Sequence, residues 1–283
     1  MTNQNYLSIY AKSFNWAGFF LPKKTYQKCS ALYDFCRVAD NIADDFNEIE
    51  VKEYKFKNFE KNFNNKNFND PIIKNMWELI DEFNISIKII HDLFNGIKSD
   101  IKKKVKLNTK TELLIYSYRV AGTVGLMMAK ILRVNKKNSL KSAIDLGIAM
   151  QLTNISRDVF EDLKNNRSYI GQNFKDIKST IELAETFYEN SFYSIKEIPI
   201  IFRFSILVAR RVYRKIGYKI LDKRNIENYR KSGKIYVSNM EKIVETLLSI
   251  FDLLKLSLIN KNDNHVQHNH FLINKEISLD ERI

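Results

Sequence analysis

The sequence predicts an all-α fold in a single domain. Three observations carry that prediction. Only 3 prolines and 8 glycines punctuate 283 residues, far fewer turn residues than a sandwich or barrel of this length needs. Apolar residues recur at helical spacing through most of the chain, and no stretch alternates with the two-residue period of a half-buried strand. The glycines are scattered, with no GxGxxG or GxxxxGK[ST] pattern, which excludes a glycine-rich phosphate loop.

Met1–Tyr10 is polar, so no leader peptide is expected. Tyr26–Asp45, after Pro22, has apolar residues three and four apart and is a predicted helix. Phe46–Asp70 is rich in Asn, Lys and Phe and loses its periodicity after Phe56. An irregular connection is expected there, with at most a short helix. Pro71 restarts order. Ile72–Phe83 and Ser86–Ile101 are predicted helices, and Lys102–Lys106 a basic loop. Thr109–Val134 reads as one long apolar helix and Ser139–Leu163 as another. Ser179–Ile195, Ile200–Asn225 and Ser238–Ile259 complete the set. Ile243–Ile259 is the longest candidate membrane span, but Glu245, Asp252 and Lys255 make it amphipathic instead. Lys261–Ile283 is polar and expected to be a loose tail. The predicted organisation is a domain over residues 1–260 and a tail over 261–283.

Lys and Arg outnumber Asp and Glu by 46 to 33, a formal charge of +13. Such a balance suits an anionic partner: nucleic acid, a phosphorylated metabolite or an anionic membrane surface. Cys29 and Cys36 are too few for a disulfide framework and lack zinc-site spacing, which suits a reducing compartment. Three of the four histidines lie at the C-terminus (His265, His268, His270), leaving His91 in the body. A Ser-His-Asp triad or a multi-histidine metal centre in the body is thereby excluded.

Two acidic segments stand out. In Asp34–Asp45, Asp40 and Asp44 are four residues apart, so a helix places both carboxylates on one face about 6 Å apart. Arg37 and Asn41 fall within roughly 60° of that face. In Gln151–Asp162, the side chains of Gln151, Asn154, Asp158 and Asp162 share a stripe of about 80°. Like charges at this spacing destabilise an isolated helix. One such pair is commonly a solvated face balanced by arginine. Two pairs, each flanked by arginine and amides on long apolar helices, point instead to a cation site. Mg²⁺ takes hard oxygen ligands, usually one or two carboxylates plus phosphate oxygens. Arginines beside it would bind the remaining phosphate oxygens. Departure of diphosphate to leave a carbocation is the chemistry such a site serves.

These segments resemble the phytoene/squalene synthase family, the head-to-head prenyl synthases. Phe35-Cys-Arg-Val-Ala-Asp-Asn-Ile-Ala-Asp44 is similar to the family's first aspartate motif. Gln151-Leu-Thr-Asn-Ile-Ser-Arg-Asp-Val-Phe-Glu-Asp162, with Arg167-Ser-Tyr169 after it, is similar to the second. Tyr118-Arg-Val-Ala-Gly-Thr-Val-Gly125, Ser13-Phe14 with Leu21-Pro22, the Gly96-x-x-x-Asp100 spacing, and Ala209–Tyr213 with Arg230 fall in family order. The sequence departs from the family at Asn41, where many members carry Asp, and at Tyr169-Ile-Gly-Gln, where Tyr-Leu-Pro is common.

The resemblance implies an isoprenoid-synthase helical bundle with a central cavity. It implies that Asp40, Asp44, Asn154, Asp158 and Asp162 handle a Mg²⁺–diphosphate cluster, with Mn²⁺ as a substitute ion. Arg37, Gln151, Arg157, Tyr116, Tyr213 and Arg230 would contact or orient diphosphate. The implied activity is condensation of two geranylgeranyl diphosphates to phytoene through prephytoene diphosphate, in carotenoid biosynthesis. Within the family the alternative uses two farnesyl diphosphates, giving squalene, dehydrosqualene or presqualene diphosphate. An alternative of another class is a non-catalytic relative acting in assembly. Nucleic-acid binding rests on charge alone and lacks a recognition motif, so no nucleic-acid partner is expected.

An apolar prenyl chain needs an apolar wall, drawn in part from Phe14, Phe19, Phe20, Leu126, Met127, Leu146 and Met150. Gly147, three turns before Asp158, is expected to leave room for the longer substrate. Gly122 and Gly125 serve either close helix packing or a narrow, kinked wall. A cytoplasmic protein is expected, touching the inner face of the membrane peripherally through basic surface such as Lys102–Lys106.

Overall fold

In the computed structural model, most of the helices bury an apolar stripe in one continuous core. The structure describes residues 12–45, 47–258 and 269–283. The first elements are α1 (Lys12–Gly18), α2 (Lys23–Asp44), α3 (Ile49–Asn64), α4 (Pro71–Phe83) and α5 (Ile87–Ser99). Next come α6 (Lys110–Ser117), a π-helical turn (Tyr118–Gly122), α7 (Thr123–Ile131), α8 (Lys137–Arg157) and α9 (Val159–Lys164). The last are α10 (Phe174–Phe192), α11 (Ile200–Leu221), α12 (Ile226–Lys231), α13 (Asn239–Leu258) and α14 (His270–Asn274). The all-α prediction holds. The described residues add one small exception, a parallel pairing of β1 (Val105–Lys106) with β2 (Arg167–Ser168).

Local chemistry sets many of these boundaries. Asp70 accepts from the Ile72 amide at 2.8 Å ahead of Pro71, so α4 starts there. Asn84 ends it in the left-handed conformation. Thr109 and Glu112 form a reciprocal capping box that starts α6. Asn173 accepts from the Asp176 amide at 2.8 Å, which starts α10 five residues earlier than the predicted Ser179.

Four segments differ from the reading above. Residues 49–64 form a regular helix, not an irregular connection. Phe56, Phe59 and Phe63 recur at helical spacing and are buried against Phe35 and Phe94. The predicted helix Thr109–Val134 is interrupted by the π-helical turn. There a Cβ at Gly122 would lie 3.0 Å from the Tyr118 ring, and one at Gly125 would collide with the Ala143 carbonyl oxygen. Close helix packing therefore explains both glycines. The predicted helix Ser139–Leu163 bends at Asp158, whose φ of −105° and ψ of 14° leave the helical range.

The fourth difference is the C-terminus, whose described part, 269–283, docks rather than hanging loose. Ile273, Ile277 and Leu279 are buried in the core. His270 hydrogen-bonds the buried Asp145, and Arg282 reaches Asp92 at 2.9 and 3.2 Å. Residues 261–268 of the predicted tail lie outside the described residues.

Candidate active site

Asp40 and Asp44 lie at the C-terminal end of α2, Asp158 follows the last residue of α8 and Asp162 stands on α9; of these four, Asp40 is in the wall at one end of a cavity of about 420 Å³. Asp40, Arg37, Gln151 and Asn154 line that end. Away from it the wall is mostly apolar, including Phe14, Leu93, Val120, Val124, Leu146 and Met150. The cavity thus runs from a charged mouth to an apolar interior. Of the candidate wall residues, Phe14, Leu146 and Met150 line it. Leu126 and Met127 are buried in the core, and Phe19 and Phe20 are exposed at the surface.

The first stripe stands on an unbroken helix. Arg37 donates to Asp40 at 3.1 Å. Arg167, from β2, donates to Asp44 at 2.7 Å and to the Ala43 carbonyl at 3.1 Å. Asp40 lines the mouth of the cavity. Loss of solvation, with Asp44 one turn away, pushes its carboxyl up to about 7.

The second stripe crosses the bend. Asp158 is gripped by the Arg157 guanidinium, with Nε at 2.8 Å, and Lys234 Nζ stands 3.7 Å away. Asp162, on α9, keeps the helical bond from its amide to the Asp158 carbonyl at 2.8 Å. Burial and the neighbouring Asp158 push its carboxyl up to about 7. Each stripe thus holds one carboxyl raised well above the ordinary aspartate range.

Asp100 adds a third carboxylate whose charge raises both Asp40 and Asp162. It accepts from Tyr116 at 2.7 Å and from Tyr169 at 2.8 Å, while the two rings stack with centroids 4.6 Å apart. Burial raises the Asp100 carboxyl as well. Tyr213 lines the cavity against Phe14, ring centroids 4.8 Å apart, and burial pushes its phenol up to about 12. It is therefore a neutral aromatic wall at physiological pH. Arg230 is placed apart: it is exposed and outside the cavity wall, with its guanidinium 4.4 Å from the Phe160 ring.

The donor set fits Mg²⁺. Asn154 Oδ1 is buried with no hydrogen-bond partner, on a residue that lines the cavity beside Gln151. An orphaned carbonyl oxygen is a hard ligand waiting for a donor or a cation. Among the described residues no three Asp, Glu, His or Cys side chains form a ready-made cage.

The family profile described as squalene/phytoene synthase matches residues 8–176, well over half the chain. The chain belongs to the squalene/phytoene synthase family. It is accordingly an enzyme of the prenyl-transfer class. A 15-cis-phytoene synthase of Enterobacter agglomerans is 29% identical over 247 residues, covering 76% of this chain and 83% of that one. Phytoene synthase 1 of Solanum lycopersicum is 28% identical over 267 residues, covering 83% and 63%. Among solved structures, a dehydrosqualene synthase in complex with a ligand superposes with a TM-score of 0.75 at 28% identity, covering 88% and 94%. A squalene synthase from Alicyclobacillus acidocaldarius, at 18% identity and a TM-score of 0.66, shares the fold.

Three site residues carried no assigned role in the sequence. Arg167 and Asp100 lie far from the aspartates they adjoin, and their charge signs alone do not pair them. Lys234 approaches Asp158 from a loop after α12. Gly147 needs correction. A Cβ there would collide with the Ala121 carbonyl oxygen and lie 3.0 Å from Gly122 Cα. The glycine permits α8 to pack against the π-helical turn, so it does not measure substrate length.

Proposed function

We propose that this enzyme condenses two geranylgeranyl diphosphates head to head, releasing both diphosphates to give phytoene. One observation carries the reading: a single cavity has Asp40 and Arg37 of the first stripe and Gln151 and Asn154 of the second segment at one end, and a largely apolar interior. The mouth suits diphosphates, and the interior suits prenyl chains. The named phytoene synthases among its relatives support the C20 substrate. The dehydrosqualene synthase likeness supports a farnesyl alternative.

Mg²⁺ held by Asp40, Asp44, Asn154, Asp158 and Asp162 would supply the positive charge that lets diphosphate depart. Arg37 and Arg157 stand beside the stripes to bind phosphate oxygens in pairs. Gln151 and Asn154 orient the same end of the substrate. Tyr116 and Tyr169, tied to Asp100, form a neutral stacked wall beside the mouth. Phe14 and Tyr213 present aromatic faces that stabilise a cation after diphosphate leaves. The apolar wall excludes water, which would otherwise quench that cation. Purified enzyme given Mg²⁺ and each prenyl diphosphate separately tests this. A C40 polyene from the C20 substrate is expected; a C30 product alone, with the C20 substrate untouched, favours the farnesyl reading.

We further infer peripheral contact with a bilayer. No helix among the described residues is long and apolar enough to cross a membrane. On α13 the acids turn inward: Glu241 to Lys219, and Glu245 and Asp252 to Arg211. Its outward side exposes Ile243, Leu247, Phe251, Leu254 and Leu258. This face supports apolar insertion rather than the charge-driven contact expected of Lys102–Lys106. Flotation with neutral and anionic vesicles is expected to persist in high salt and to fall with Phe251→Glu. Binding to anionic vesicles alone, lost in salt, assigns the contact to the lysines instead.

A further inference from the structure

The far end of the cavity is not apolar throughout. Ser139 and Ser142, one turn apart at the start of α8, line it together with Ser191 and Ser194 from the end of α10 and the turn that follows. Ser142 lies about 18 Å along the helix from Asn154, so these hydroxyls stand opposite the charged mouth. Ser194 donates to Ser142 at 2.6 Å, and Ser191 donates to the Tyr188 carbonyl at 2.9 Å. Ser139 is different. It is only 4% exposed, and its hydroxyl, buried in the cavity wall, has no hydrogen-bond partner in the protein.

A buried hydroxyl without a partner is costly, and an apolar chain pressed against it makes the cost permanent. A polar ligand relieves it. Leu132, Val134, Ile195 and Ile198 line the same region, so the hydroxyls form a small polar floor beneath an apolar shaft. Two to four polar partners are what an ordered water needs, and Ser139 with the Ser142–Ser194 pair provides them.

We propose that Ser139, with Ser142 and Ser194, forms a water-holding polar floor that limits how deep a prenyl chain enters, and so sets the longest substrate accepted. This rests on the reading of the cavity as a prenyl site. A chain short of the floor leaves its water in place. A chain one isoprene unit too long displaces that water and leaves the Ser139 hydroxyl bare. The discriminating residue is thus a hydroxyl at the floor, where Gly147 proves to be a packing residue.

The test is an affinity ladder. Farnesyl, geranylgeranyl and geranylfarnesyl thiolodiphosphates, which resist ionisation, are titrated with Mg²⁺ into the wild type, Ser139→Ala and Ser139→Thr. Wild-type affinity is expected to rise with chain length and then break at one step. Ser139→Ala should bind the first chain past the break about tenfold more tightly, the scale of one unsatisfied buried hydroxyl, and leave shorter chains unchanged. Ser139→Thr keeps the hydroxyl and should keep the break. An unchanged ladder, or a parallel shift for every chain with a lowered melting temperature, overturns the floor. Should Ser139→Ala fail to fold, Ser142→Ala is read by the same criteria. A ladder that behaves as expected while the wild type makes no product from the natural diphosphates overturns prenyl transfer and leaves the floor standing.

Discussion

The two acidic stripes look alike in sequence and are supported in different ways. The first stands on the continuous helix α2, and its outer aspartate, Asp44, is held by Arg167 from a distant strand. The second spans the bend at Asp158, and that aspartate is held by Arg157, its neighbour in sequence. Asp40 meets Arg37 as well, at 3.1 Å, yet loss of solvation and a neighbouring aspartate push both Asp40 and Asp162 up to about 7. In the proposed clamp, Asp44 and Asp158 would fix the geometry, and the raised carboxyls of Asp40 and Asp162 would be the ones that gain most from a cation. The same four-residue spacing is thus put to two purposes within each stripe.

The largest effect that separates the two stripes is on turnover and stability together. Asp40→Asn and Asp158→Asn should each lower kcat at least about a hundredfold, the scale on which lost transition-state electrostatics is felt. Their stabilities should diverge. Asp40→Asn removes a repelled charge, so the metal-free protein should melt at an equal or higher temperature. Asp158→Asn strands the largely buried Arg157 guanidinium and should cost about 1–3 kcal/mol. Thermal melts in chelator, alongside steady-state rates, decide it. Equal stability changes would erase the distinction between anchored and frustrated acids.

A smaller effect tests the coupling of the second stripe to its helix. Gly147→Ala should press α8 away from the Ala121 carbonyl, costing about 1–3 kcal/mol. The second stripe, on α8 and α9, should shift while the first, on α2, stays. A drop in stability with a lowered kcat is expected for every chain length. A change of chain-length preference at full stability would restore Gly147 as the ruler.

The smallest effect is on pH. A carboxyl raised in the folded state binds its proton more tightly folded than unfolded. The stability it contributes is present below the ordinary aspartate range and is lost as the pH rises through about 7. Urea melts of the metal-free protein should therefore show a decline between about pH 4 and 7. Asp40→Asn or Asp162→Asn should each flatten part of that slope, and Mg²⁺ with inorganic diphosphate should oppose it. A slope unchanged in both variants would show that neither acid is frustrated.

Much of this architecture was legible because helices advertise themselves locally. The two stripes, the capping box at Thr109 and the restart at Pro71 are written within a few residues of one another. What stayed hidden depended on distance or on noise. Phe56, Phe59 and Phe63 carry a helical period, but Asn and Lys crowd the stretch between them. Asp100 meets Tyr116 and Tyr169 from 16 and 69 residues away, and no local pattern pairs them. The docking of His270 on Asp145 crosses 125 residues, so a polar C-terminus read as loose turns out to cover the core. The bend at Asp158 keeps its helical hydrogen bonds on either side, which is why side-chain periodicity runs through it unbroken.

The most direct measurement is diphosphate release from geranylgeranyl diphosphate, followed in Mg²⁺ and in EDTA with the wild type and Asp162→Asn. If the two stripes act as one cation-filled clamp, the wild type should release diphosphate only with Mg²⁺, and Asp162→Asn should lose at least about a hundredfold while remaining folded. Full release by the wild type in EDTA, or full activity in folded Asp162→Asn, would contradict the clamp.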